Sequence, residues 1–110
     1  MLDVGVGRGE MLTLMRKWGY DYQGIDISPS TIKFCKNLDL NCERVDSSTE
    51  WLYQNKSNFD LITCLDVIEH IPKDQLLDFL ESCRFALRDN GKAIFQVPNL
   101  GGSVWVSSSF

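Results

Sequence analysis

The stretch LDVGVGRGE, residues 2–10, combines an apolar strand end, a turn with three glycines and the beginning of a helix. Glycines let the backbone approach a ligand closely, and the first turn of a helix presents unpaired N–H groups. The dinucleotide fingerprint G-x-G-x-x-G/A is not matched, because Glu10 occupies the position of the third small residue. The carboxylates of Asp3 and Glu10 would also repel a pyrophosphate. The loop therefore favours a ligand without phosphate groups.

Downstream of this loop, helix patterns alternate with short strand patterns. Apolar residues at helical spacing predict a first helix that ends at Gly19; they are Met11, Leu14, Met15 and Trp18. Ser28 is predicted to cap a second helix, and Ser47 to cap a third. Pro72 begins a fourth helix, which is predicted to end at Asn90-Gly91. The apolar runs between the helices predict strands at residues 22–27, 41–45, 59–65 and 92–97. This alternation predicts an α/β fold, a three-layer α/β/α sandwich around a mostly parallel, doubly wound sheet.

Composition bounds the functions that this chain can have. Its 110 residues are 44% hydrophobic and 24% charged, which is typical of one globular domain. A net charge of −4 argues against nucleic acid as a partner. Because the sequence has neither a long apolar run nor an export signal, we expect no membrane association and a cytoplasmic location. The four cysteines form no C-x-x-C pair, so they are predicted to be reduced structural thiols rather than zinc ligands.

Five segments, in order along the chain, resemble the class I S-adenosylmethionine-dependent methyltransferases. They are residues 3–9, 24–28, 45–46, 59–70 and 87–92. The resemblance implies a Rossmann-like sheet, S-adenosylmethionine as the cofactor and methyl transfer as the reaction. It also implies that residues 1–110 form an incomplete domain, because the family adds N-terminal helices and two further strands. We therefore expect a loose tail at residues 99–110 and an uncovered strand at 93–97, through which a homodimer could form.

On the methionine side of the cofactor, the resemblance implies five contacts. Gly5, Gly7 and Gly9 would pass under the methionine and ribose. Asp3 would lie near the methionine amino group, although a carboxylate there could merely close the turn. Leu65 would lie near the methionine end.

On the nucleoside side, the resemblance assigns residues after the second and third strands. Asp26 would accept both ribose hydroxyls, which suits the two oxygens of a carboxylate, and Ile27 would adjoin it at the same strand end. Asp46 and the backbone of Ser47 would meet the adenine. The cofactor carries a sulfonium and an ammonium group, so acidic strand ends favour it. As alternatives, Asp26 is an ordinary loop carboxylate and Asp46 a turn residue.

His70 is the only histidine and the candidate catalytic base. An alcohol or phenol must lose its proton as it attacks, so a base favours oxygen acceptors; the alternative is a surface or helix-cap histidine. Asp66, Glu69 and His70 also resemble a segment of quinone-pathway O-methyltransferases that can hold a divalent metal, but no metal is assigned here. The Asn/Asp-Pro-Pro-aromatic motif of the N-methylating branch is absent. The sequence thus predicts a small-molecule, lipid or saccharide acceptor.

Two other functions share these features. An NAD-dependent oxidoreductase has the same architecture and an acidic residue after the second strand, although Glu10 disfavours it. A non-catalytic cofactor-binding or assembly module would keep the site without the reaction.

Overall fold

The structure, a computed structural model, describes residues 1–65, 67–97 and 102–107. The strands are β1 (Leu2–Val4), β2 (Gln23–Asp26), β3 (Cys42–Arg44), β4 (Phe59–Cys64), β5 (Leu87–Val97) and β6 (Gly102–Ser107). The helices are α1 (Glu10–Lys17), α2 (Pro29–Asn37), α3 (Ser48–Tyr53) and α4 (Lys73–Ala86), with a 3₁₀ turn at Ile68–His70. The sheet order is β3-β2-β1-β4-β5-β6, and β1 to β5 are parallel. The predicted α/β fold with a mostly parallel, doubly wound sheet is confirmed.

Helices cover both faces of the sheet. Successive strand residues point to opposite sides, so each face carries apolar side chains that a layer of helices buries. One apolar cluster joins α1 and α2 to the sheet; its buried members are Val6, Leu12, Met15, Ile32, Cys35, Leu40 and Cys42. A larger cluster joins α3 and α4 to the other face through Leu52, Phe79, Cys83 and Ala86. This arrangement is the predicted three-layer sandwich. The longest helix in the described residues, α4, has 14 residues, and none there is long and apolar enough to cross a bilayer.

Two predicted helix caps are present. The Ser28 hydroxyl accepts a hydrogen bond from the Thr31 N–H at 3.3 Å, and Pro29 is the first residue of α2. The Ser47 hydroxyl accepts from the Glu50 N–H at 3.2 Å and begins α3. Each hydroxyl satisfies an N–H group that has no partner inside its own helix.

The buried face of α1 agrees only in part with the predicted stripe, of which Met15 is buried and Met11 packs against the same apolar cluster. Leu12 and Met15 are buried, whereas Leu14 and Trp18 are 39% and 64% exposed. Leu12 packs against β2, where a Cβ atom at Gly24 would come within 2.7 Å of it. Glycine at this point of the sheet leaves room for the Leu12 side chain. Sequence periodicity alone did not reveal this contact.

The end of α4 also differs from the prediction. The helix ends at Ala86 rather than at Asn90-Gly91, and Leu87 is already extended, with φ −77° and ψ 141°. Leu87 is 3% exposed and pairs with Phe59 of β4. The burial of Leu87 and its pairing in the sheet thus favour an extended conformation over one more helical turn. The register shift between Phe59 and Leu61 absorbs the residues around Asn90, which has a positive φ of 65°.

The expected loose tail at residues 99–110 is wrong for residues 102–107, which form β6. This strand pairs antiparallel with β5 from Lys92↔Ser107 to Val97↔Gly102. The predicted open edge at residues 93–97 is therefore covered, because β5 offers a row of backbone groups that β6 satisfies. Residues 98–101 and 108–110 lie outside the described residues.

The four cysteines are free and buried, as the prediction of structural thiols requires. Burial raises the pKa of the Cys35 and Cys42 thiols, and it raises that of Cys64 well above its usual range. These thiols stay protonated at neutral pH and are therefore poor nucleophiles.

A buried polar pair joins the two central strands. The Thr63 hydroxyl of β4 donates to Oδ1 of Asp3 on β1 at 2.6 Å, and both residues are 2% exposed. A buried carboxylate needs such donors, because without them its desolvation is not compensated. This bond therefore ties β1 to β4 beneath the glycine loop.

We expect Thr63→Val to lower the free energy of unfolding by about 2 kcal/mol, because it removes a donor from a buried carboxylate. Thr63→Ser keeps the hydroxyl and loses only a methyl group, so it should cost about 1 kcal/mol. Urea denaturation measures both variants. A Val variant at least as stable as the Ser variant would contradict the importance of this bond.

Candidate functional site

The parallel strands end at one edge of the sheet, and backbone hydrogen bonds also join the residues that directly follow β1 and β3 to β2. The Gly5 N–H donates to the Ile25 carbonyl at 2.9 Å, and the Val45 N–H donates to the Asp26 carbonyl at 3.0 Å. These two bonds bring the turns after β1, β2 and β3 side by side. Ligands of open parallel sheets bind at this edge, so the geometry marks it as the candidate site.

A cavity of about 510 Å³ opens at this edge. Its lining residues are Val4, Gly5, Asp26, Ile27, Asp46, Ser47, Ser48, Thr49, Val67, His70, Ile71, Pro72, Gln75 and Phe79. Six of the ten predicted site residues are among them: Gly5, Asp26, Ile27, Asp46, Ser47 and His70. The volume lies in the range of small-molecule and cofactor sites.

Asp26 is held by the turn that follows it. Its Oδ1 accepts a hydrogen bond from the Ser28 N–H at 2.9 Å, and the residue is half-buried. A carboxylate has about four lone-pair sites, so a single accepted bond leaves it able to accept from a ligand. Asp26 is therefore both fixed in place and chemically available to the cavity.

Asp46 and Ser47 reach the cavity in different ways. The Asp46 side chain is 88% exposed, and its Oδ1 accepts from Nη1 of Arg44 at 2.7 Å. The Ser47 hydroxyl caps α3, so its side chain is committed to the helix. The predicted contact of the Ser47 backbone with adenine is compatible with this use of the side chain and stays a prediction.

The three loop glycines all have positive φ, at 78°, 54° and 78° for Gly5, Gly7 and Gly9. Their surroundings differ. A Cβ atom at Gly5 would collide with Val67, and one at Gly9 would come within 2.5 Å of Leu40, whereas Gly7 has open space. Gly9 thus permits packing of the loop against the α2 side of the sheet. Gly7 and Gly9 do not line the cavity, and their predicted contacts to a cofactor stay predictions.

Two further predicted residues, Asp3 and Leu65, do not line the cavity either. Asp3 is buried, and its carboxylate accepts from Thr63. Leu65 is half-buried directly after β4. Their predicted contacts to the methionine end are not tested by this arrangement.

His70 lies at the rim of the cavity, at the end of the 3₁₀ turn. Its backbone N–H donates to the Val67 carbonyl at 3.0 Å, and its side chain is 76% exposed. Nε2 of His70 lies 3.7 Å from Oε1 of Glu69. Asp66, the third member of the predicted acidic cluster, lies outside the described residues. The imidazole can thus reach a ligand at the mouth of the cavity and has a carboxylate beside it.

Sequence reasoning missed several cavity residues. Val67, Ile71 and Phe79 form an apolar wall, and Gln75 stands one helical turn before Phe79 on α4. The spacing of four residues was a usable signal, since it places both on one side of a helix that follows a strand end. Nothing in the sequence showed that this side faces the cavity.

Comparisons with known proteins agree with this geometry. A family model described as a methyltransferase domain matches residues 1–105. The ubiquinone biosynthesis O-methyltransferase of Coxiella burnetii is 32% identical over 103 residues, covering 90% of this chain and 43% of that protein. The enzyme of the same name from Idiomarina loihiensis is 26% identical over 114 residues, covering 96% and 45%.

A solved structure is similar over most of the chain. The crystal structure of a SAM dependent methyltransferase from Archaeoglobus fulgidus matches with a TM-score of 0.79 and 27% identity, covering 86% of this chain and 42% of that one. The chain thus spans less than half the length of each of these relatives.

The glycine loop yields a test of the Gly5–Val67 contact. In Gly5→Ala, the new methyl group collides with Val67 and the backbone keeps a positive φ that alanine disfavours, so the free energy of unfolding should fall by about 3 kcal/mol. In Gly7→Ala only the unfavourable φ applies, so the free energy of unfolding should fall by about 1 kcal/mol. Urea denaturation gives both values. Adding Val67→Ala should recover part of the loss at Gly5 and none at Gly7. Equal losses in the two single variants would contradict this contact.

Proposed function

The chain belongs to the methyltransferase domain family, and we propose that it binds S-adenosylmethionine in the cavity and transfers the methyl group to an oxygen of a small-molecule acceptor. Membership agrees with the resemblance of its motifs to the class I S-adenosylmethionine-dependent enzymes. The observation that carries the proposal is Asp26, which lines the cavity at the end of β2 and is held there by the Ser28 N–H.

The polar groups of the cavity suit this cofactor. Asp26 and Asp46 are acceptors, so they suit hydroxyl groups, an exocyclic amine and positive charge. Ile27 is 58% exposed and lines the same end, where it offers an apolar surface to a flat base. An acidic residue after β2 also suits the ribose of a dinucleotide, so Asp26 alone does not separate the two cofactors. The preference for S-adenosylmethionine rests on the glycine loop, where Glu10 occupies the position of the third small residue of the dinucleotide fingerprint.

The cofactor supplies an already activated methyl group, so the protein mainly has to align the acceptor with it. We infer that the acceptor enters beside His70, between the rim and the apolar wall of Val67, Ile71 and Phe79. There the imidazole can take the proton of a hydroxyl acceptor. Oε1 of Glu69 lies 3.7 Å from Nε2 of this imidazole.

The names of the relatives support oxygen as the attacking atom. The Coxiella and Idiomarina proteins are O-methyltransferases of ubiquinone biosynthesis. We carry over only the reaction type, since these proteins are more than twice as long as the matched region. The matched proteins give the oxidoreductase alternative no support. A non-catalytic module remains an outcome of the experiments below.

Partners and location extend the proposal. Free buried thiols and the absence of a spanning helix in the described residues support the cytoplasm as the location. A net charge of −4 disfavours nucleic acid and anionic membrane surfaces. We infer that any homodimer formed through the sheet pairs along β6, which lies at an edge of the strand order, rather than along β5.

Binding of S-adenosylhomocysteine, measured by calorimetry, tests the cofactor site. Asp26→Asn keeps an oxygen for the Ser28 N–H but removes the charge, so we expect the dissociation constant to rise at least tenfold. Asp60→Asn, which breaks an exposed ion pair with Arg88 at the start of β4, is the matched control and should bind normally. Binding of NADH without binding of S-adenosylhomocysteine would overturn the proposal.

Turnover with a panel of small phenols, followed by S-adenosylhomocysteine release, tests His70. His70→Gln should lower the rate at pH 7 about 100-fold and leave cofactor binding within twofold. The deficit should shrink at pH 9, because the phenol then ionises without a base. An unchanged rate would remove the catalytic role. Cofactor binding without turnover on any acceptor would favour the non-catalytic module.

A further inference from the structure

We propose that Arg44 is a positioning residue that fixes the nucleoside end of the cofactor site; this inference rests on the proposed function. Its Nε donates to the Ile27 carbonyl at 3.3 Å, and its Nη1 donates to Oδ1 of Asp46 at 2.7 Å. Ile27 and Asp46 both line the cavity, on the turns after β2 and β3. One guanidinium thus joins the two turns that would hold the ribose and the adenine.

The position of Arg44 makes this link possible. It is the last residue of β3 and pairs with Asp26, the last residue of β2. β3 has only three residues and lies at the edge of the sheet, so strand pairing restrains the turn that follows it from one side only. Beyond the strands, the Val45 N–H bond to the Asp26 carbonyl is the backbone connection between these turns. The side chain of Arg44 adds a second connection from the same strand end.

The shape of the guanidinium explains why arginine suits this task. It is planar and presents several N–H groups in fixed directions, so it can serve a carbonyl and a carboxylate at once. Lysine has a single ammonium on a flexible stem and does not reproduce that fork. The positive charge also lies beside the Asp46 carboxylate and compensates its negative charge at the rim of the cavity.

The contribution of this link to stability is expected to be small. The side chains of Arg44 and Asp46 are 48% and 88% exposed, and exposed ion pairs add little to folding. Its effect is instead on binding, because a turn fixed before the ligand arrives loses less freedom on association. Arg88 offers the matched comparison: it pairs with Asp60 at similar exposure, 55% and 73%, at the opposite end of the sheet.

The experiment compares Arg44→Gln, Arg44→Lys and Arg88→Gln by calorimetry with S-adenosylhomocysteine and by urea denaturation. We expect Arg44→Gln to raise the dissociation constant three- to tenfold and Arg44→Lys to recover less than half of that loss. Arg88→Gln should bind as the wild type does. The two Gln variants should shift the urea midpoint equally, which separates positioning from general stability.

Two further measurements complete the test. In the Asp46→Asn background, Arg44→Gln should have a smaller effect on binding, because one of its two partners is already weakened. In the ligand-free state, hydrogen exchange at residues 26–28 and 46–48 should be faster in Arg44→Gln than in the wild type, and it should be unchanged in Arg88→Gln. Unchanged exchange and a dissociation constant within twofold would overturn the inference while the proposed function stands. A wild-type chain that does not bind S-adenosylhomocysteine would overturn both.

Discussion

The parallel register of β1, β2 and β3 is the constraint on which the site depends. Val4 lies beside Ile25, and Asp26 lies beside Arg44, so the three strands end within one residue of one another. Parallel strands place their carboxyl ends at one edge, and the turns that leave them meet there. A shift of one residue in this register would turn each side chain to the other face, so Asp26 and Asp46 would no longer line the same cavity.

Close backbone packing keeps that register. Gly24 in the middle of β2 admits Val6 and Leu12, which lets α1 lie directly over the strand. Gly5 does the same at the cavity, where Val67 occupies the space that a Cβ atom would fill. Two glycines therefore act as contact points for larger side chains, one beneath the loop and one beside the cavity. The glycine loop, which the sequence predicts to contact the cofactor, is therefore also part of the packing of the fold.

Within the cluster, some polar groups stabilise the fold and others remain available. Asp3 is paired with Thr63 inside the sheet, and the Ser47 hydroxyl is used by α3. Asp26 and Asp46 also accept hydrogen bonds, but both line the cavity. The chemical role of each carboxylate thus follows from its position along the strand. Asp3, inside β1, stabilises the fold, whereas Asp26 at the last position of β2 and Asp46 beyond the end of β3 can meet a ligand.

The sequence by itself determined the alternation of strands and helices, the caps at Ser28 and Ser47, and six residues of the cavity. The strands, helices and caps depend on local patterns and turn residues, and the cavity residues were assigned chiefly through the resemblance of their motifs to a known family. Tertiary structure alone decided the buried face of α1, the early end of α4, the pairing of β6 and the link made by Arg44. Each of these depends on a partner that is distant in the chain: Gly24 for α1, Phe59 for Leu87, β5 for β6, and Ile27 for Arg44. Periodicity records which residues are apolar or polar, but only packing decides which neighbour each of them meets.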